Sequence, residues 1–127
     1  MNRVPALFEQ LPLGEMEAGL ARPIATTRIE PAEISRRLGI MFESARDDLD
    51  ELQAALIRGP SGRQFALVRH LHQPAPGTDI LTNENSDNCA HDLWESLAVL
   101  RMTLDDLGWV HPDAAEIYEK VVRPSAR

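Results

Sequence analysis

Residues 30–60, EPAEISRRLGIMFESARDDLDELQAALIRGP, constrain what this chain can fold into more than any other stretch. Pro31 suits the first position of a helix, where its missing N–H costs nothing. Glu33 follows in the first turn, beside the positive end of the helix dipole. Ile34, Leu38, Met41, Phe42, Ala45, Leu49, Leu52 and Leu56 then step by three and four, a stripe wide enough to face a core. Gly59-Pro60 is a stop signal. The spacing predicts one long helix, about 40 Å from end to end at 1.5 Å per residue. That exceeds the width of a globule of this size, so part of the stripe is expected to serve a second subunit. Gly39 is a mild weak point inside it, worth about 1 kcal/mol against alanine.

The next stretch changes period. In RQFALVRHLHQ, residues 63–73, Phe65, Leu67 and Leu71 alternate with Ala66, Val68, His70 and His72, which is strand patterning. PAPG at 74–77 is turn chemistry, and TDILTN at 78–83 can return as an antiparallel partner, giving a hairpin. The β-branched segment RPIATTRIE supplies a short strand over 23–29 that can extend it. Ser86 or Asp87 can cap a following helix whose stripe is Leu93, Leu97, Leu100, Leu104 and Leu107. Gly108 then sits where a left-handed cap belongs, with Trp109 folding back on Leu104. Pro112 opens a last helix with Ala114, Ile117, Tyr118 and Val121 as its apolar side. The expected class is therefore α+β: a long N-terminal helix, a β-hairpin and two C-terminal helices, packed on a small antiparallel sheet.

Residues 1–22 scatter apolar positions among Pro5, Pro12, Gly14 and Gly19 and keep neither period. They read as an extended arm that must dock on something, because Phe8 and Leu11 gain little in water. Residues 23–123 make one domain and 124–127 a frayed tail, a division that suits a chain of 127 residues. The single cysteine, Cys89, forbids an intrachain disulfide, and the N-terminal residues hold no apolar run of a secretory signal. The expected location is the cytoplasm. Twenty acidic residues against thirteen basic ones give a net charge of −7 with no basic cluster. Duplex nucleic acid and anionic membrane surfaces are therefore disfavoured partners.

Reaction chemistry is sparse. His70 and His72 share a strand face at about 7 Å spacing, from which both can reach one ion. Cys89 and His91 have the donor chemistry to complete a tetrahedral zinc or iron site, although two residues apart on a helix they point about 200° apart. Cys89, at a helix start, is also the thiol best placed for activation by the helix dipole. NENSDN, residues 83–88, opens like a calcium loop but has Asn88 and Trp94 where glycine and glutamate belong. A small-molecule pocket lined by Trp94 and Trp109 is a further possibility, although tryptophan at such positions is more often core. No nucleophile elbow or phosphate-binding glycine loop is present. The acidic run Asp47, Asp48, Asp50 and Glu51 offers an anionic surface to a basic partner.

These features point to a non-catalytic, cofactor-free protein-binding module, an adaptor, regulatory, chaperone-like or immunity-like protein. It is expected to be homodimeric and to bind through an apolar and acidic surface that includes Phe8, Leu11 and the acidic run. The alternative is a metal-dependent enzyme or metal sensor using His70, His72, Cys89 and His91 with zinc or iron.

Overall fold

The computed structural model describes residues 7–48 and 50–115. Its centre is a seven-stranded antiparallel sheet, not a hairpin. The strands are β1 (Glu9–Leu11), β2 (Leu20–Thr27), β3 (Glu43–Arg46), β4 (Glu51–Arg58), β5 (Gln64–His70), β6 (Thr78–Asn83) and β7 (Leu107–Val110). Helices α1 (Pro31–Leu38) and α2 (Cys89–Leu100) accompany them. The sheet order is β1-β4-β5-β6-β2-β7, with β3 pairing the other half of the β4 edge that β1 occupies.

The long N-terminal helix is overturned. Pro31 and Glu33 do open a helix, but it lasts eight residues. Gly39, a mere weak point in the sequence reading, is its terminator: φ of 73° places it in the left-handed region and its N–H bonds to the Ser35 carbonyl. Beyond it the same apolar residues serve two strands. Ala54, Ala55, Leu56 and Ile57 are all buried, Ala54 and Leu56 on one face of the sheet and Ala55 and Ile57 on the other. A strand covered on both faces reads as a continuous apolar run, so its period of two is invisible. Leu52 and Leu56 then mimic one helical turn.

The hairpin prediction survives inside the larger sheet: β5 and β6 pair antiparallel with Leu67 opposite Ile80. The strand expected over 23–29 is β2, which lies between β6 and β7. Helix α2 forms where the leucine stripe begins, capped by Asn88, whose side chain accepts the His91 N–H, in place of Ser86 or Asp87. It stops about two turns early. Arg101 takes φ of 54°, its N–H reaches Ala98, and the Met102 N–H reaches back 3.0 Å to the Leu97 carbonyl. That double closure is a Schellman cap, seven residues before the expected one. Leu107 and Trp109 consequently belong to β7, an edge strand. A last helix starts at 112–115, with Ala114 buried in the main core. Its expected apolar positions Ile117, Tyr118 and Val121, and the tail at 124–127, lie outside the described residues.

The main core lies on the helix side of the sheet. Ile24, Ile57, Phe65, Leu67 and Ile80 meet Ile34 of α1 and Leu93, Leu97 and Leu100 of α2. On the opposite face, Leu56, Ala66 and Val68 are sealed by Leu11, Leu13 and Leu20. The N-terminal segment thus docks on its own sheet over residues 9–20. Its polar residues hold it there: Gln10 exchanges two hydrogen bonds with the Met41 backbone, and Gln64 accepts the Glu17 N–H at 2.8 Å. Among the described residues no helix is long and apolar enough to cross a membrane.

Candidate functional site

The two ends of β4 carry the polar chemistry of the molecule. At its N-terminal end, the β3–β4 turn lies against the last residues of β5. His70 Nε2 and Asp47 Oδ2 share a hydrogen bond of 2.7 Å. Two residues on, Asp50 accepts both the His72 backbone N–H at 2.8 Å and a ring contact with Nδ1 at 2.9 Å. The His72 N–H, together with its ring and the Glu51 N–H, holds the Asp50 carboxyl below the usual carboxylate range against the opposing pull of burial. Leu71, between the two histidines in the chain, is 61% exposed. Two open grooves, of 760 and 530 Å³, meet here and share Arg46, Glu51 and Leu71 as lining.

The residues singled out from the sequence therefore separate. Asp47, Asp48, Asp50 and Glu51 do gather, and they line one groove together with Leu71. Phe8 and Leu11 do not join them: Leu11 is buried against the sheet and Phe8 is half-buried against the main core. His70 and His72 face carboxylates of the turn, while Cys89 is buried and His91 lies on the exposed side of α2. Among the described residues no three His, Cys, Asp or Glu side chains come together as a metal site. Asn83, which opens the calcium-like stretch, and Asn88, which stands where its glycine belongs, accept the Asn85 and His91 backbone N–H groups as turn and cap. Trp109 lines a groove with Pro74 and Pro76, without Trp94.

Cys89 is not activated by its place at the start of α2. Burial pushes its thiol above the ordinary value, with Asp92 adding to the effect against Arg22. The native protein is expected to react with iodoacetamide at least about tenfold more slowly than the urea-unfolded chain. Equal rates in a stopped-time alkylation assay would show the thiol to be accessible and ionised.

At the other end of β4, two acids of α2 that the sequence reading passed over organise the structure. Asp92 is fully buried, and its carboxylate is bound by Arg63, by the Ser86 hydroxyl and by the Thr82 hydroxyl at 2.8 Å. Arg63 also donates to Ser86 Oγ at 3.1 Å. One turn later, Glu95 lies in the β4–β5 turn: Ser61 donates its N–H at 3.0 Å and its hydroxyl at 2.7 Å to Glu95 Oε2. A faint signal existed in the sequence, since Asp92 and Ser96 interrupt the face that Leu93, Leu97 and Leu100 mark as buried.

Comparison with known proteins leaves the fold and its sites to speak for themselves: no protein-family model, no curated protein and no solved structure matches this chain.

Proposed function

We propose that this protein is a non-catalytic binding module that takes a basic segment of another protein at the β3–β4 turn. The observation that supports this is the setting of Leu71, an exposed apolar side chain that lines two adjoining grooves, one of them together with Asp47, Asp48, Asp50 and Glu51 as well as Arg46 and His72. A desolvated apolar anchor inside a charged rim is how protein interfaces concentrate their affinity. The His72 and Glu51 N–H groups orient Asp50 and hold its carboxyl below the usual range, which keeps this one charge in place. The same charge is repulsive to phosphate backbones, in keeping with a protein partner and no nucleic acid.

The reading places the module in the cytoplasm, where a lone buried thiol stays reduced. The homodimer expected from the sequence has lost its 40 Å helix and its unattached arm as arguments. It rests now on the exposed side chains Met41, Leu71, Trp94 and Trp109. Light scattering at twice the 14.2 kDa chain mass would support it, and the mass of one chain would remove it.

The binding surface is tested by affinity capture from the native host with the wild type and with Asp48→Lys/Glu51→Lys and Leu71→Ser. Proteins held by the wild type and released by rising salt are expected to be lost by both variants. A mutated contact at the centre of such a surface costs about 2 kcal/mol or more, roughly thirtyfold in Kd. Capture of the same proteins by all three forms, or turnover of a substrate by the wild type, would refute the reading.

A further inference from the structure

We propose that the groove beside Trp109 binds a purine nucleoside monophosphate, with the base stacked on the indole, its edge N–H groups on Asp79 and its phosphate on Arg28. The inference goes beyond the binding surface at the β3–β4 turn, and this groove shares no lining residue with those around Leu71. It starts from a row of three side chains. Thr26 of β2 stands opposite Asp79 of β6 on one side and Trp109 of β7 on the other. Cross-strand partners share a face of the sheet. Leu81, two residues from Asp79 and so on the same face, packs with Leu56 and Val68. The row therefore continues the face that the N-terminal segment seals, out to where it lies open. Trp109 is 43% exposed there.

The groove holds 420 Å³, within the range of small-molecule sites. Another wall is the PAPG turn, with Pro74 and Pro76. That wall is fixed, because Arg69 donates to the Ala75 and Gly77 carbonyls at 3.0 and 2.9 Å. An indole and two prolyl rings suit a planar ring, and bases stack on tryptophan whatever their sequence. Two polar groups then give the ligand its direction. Thr26 donates to Asp79 Oδ1 at 2.8 Å, which orients the carboxylate and leaves Oδ2 without a hydrogen bond among the described residues. Seven other arginines stand in ion pairs with carboxylates. Arg28 instead donates to the Asp105 carbonyl at 2.8 Å, and among the described residues the rest of its fork is unused. It lies against Gly108, beside the indole: a Cβ on Gly108 would stand 3.7 Å from Arg28 Cγ.

The acceptor and the cation thus sit on different sides of Thr26, Asp79 on β6 and Arg28 reaching toward β7. Those two strands are two spacings, about 10 Å, apart. The adjoining ammonium and carboxylate of an amino acid do not span that gap. A neutral sugar would leave the guanidinium without an anion. A purine monophosphate carries N–H donors at one end, a flat ring, and a phosphate at the other end that arginine matches bidentately. The net charge of −7 resists a polyanion, whereas one phosphate needs one cation.

The test titrates the full chain with AMP and with GMP, read by calorimetry and by the Trp109 indole N–H resonance. Saturable binding of at least one nucleotide is expected, with Trp109 shifted and Trp94 unmoved. The matching nucleoside and ribose 5-phosphate, which lack the phosphate and the base, are each expected to bind at least about tenfold more weakly. Arg28→Gln should weaken the nucleotide about tenfold or more and leave the nucleoside as it is. Trp109→Ala should cost about tenfold or more. Asp79→Asn keeps the acceptor for Thr26 and turns the other oxygen into a donor, so a loss of about tenfold is expected there too. No saturable binding of either nucleotide at millimolar concentration would overturn the assignment. So would ribose 5-phosphate binding as tightly as the nucleotide, or unchanged affinity in Arg28→Gln or in Asp79→Asn. Tighter binding of a single-stranded oligoadenylate than of AMP would overturn it as well, since the ligand would then be a nucleic acid.

Discussion

Asp92→Ala is expected to cost about 3 kcal/mol of folding stability, one of the two largest losses any single polar or glycine change here should produce. Removing one member of a buried ion pair typically costs about 3–5 kcal/mol, because the partner is left uncompensated. Arg63 is 39% exposed and can turn to water, which places the value at the low end. The Thr82 hydroxyl has no such escape at 2% exposure and loses its acceptor outright. Asp92→Asn keeps the shape and one acceptor oxygen, so about half the loss is expected. Urea unfolding with an unchanged slope reads both. A loss under about 1 kcal/mol for the alanine variant would mean that the carboxylate does not tie α2 to the β4–β5 turn and β6.

Gly77→Ala should be at least as damaging, for a reason of backbone geometry alone. Gly77 has φ of 115°, and a Cβ there would stand 1.9 Å from the Thr27 carbonyl oxygen, which is backbone and has no rotamer to yield. The Gly77 carbonyl also accepts a hydrogen bond of 2.9 Å from Arg69, so any shift of the turn breaks a second contact. We expect a loss of about 3 kcal/mol or more, or about 12 °C in Tm for a chain of this size. Gly39→Ala is the internal control. Its φ of 73° is equally left-handed, but nothing lies within 4 Å of the added carbon, so only about 1 kcal/mol should go. Equal melting temperatures for the two variants would refute the close approach at residue 77.

The candidate sites were legible in proportion to how local they are. His70 and His72 stand out as a pair one residue apart, and the placement of His70 at the end of a strand followed from Phe65 and Leu67, whereas His72 lies past the strand in the turn. Their partners did not, because the apolar spacing of residues 30–60 predicts one helix, and Asp47 and Asp50 lie instead in the turn between two strands. Glu95 was invisible for a simpler reason: Ser61, which fixes it, is 34 residues away. The buried role of Asp92 likewise depends on Arg63, 29 residues back.

By itself the amino-acid order determined where α1 opens and where one hairpin turns. Pro31 opens α1, and the PAPG turn joins β5 to β6. Each follows from the steric limits and local hydrogen bonds of a few neighbouring residues. Only the tertiary structure decided that ELQAALIR would be a strand. Its eight residues satisfy a helical stripe almost as well as a sheet covered twice over, and local propensity does not separate the two. The N-terminal segment and α2 on opposite faces, with β5 alongside, supply the burial that makes all four central residues apolar contacts at once. A helix buries one face, and this segment needed two.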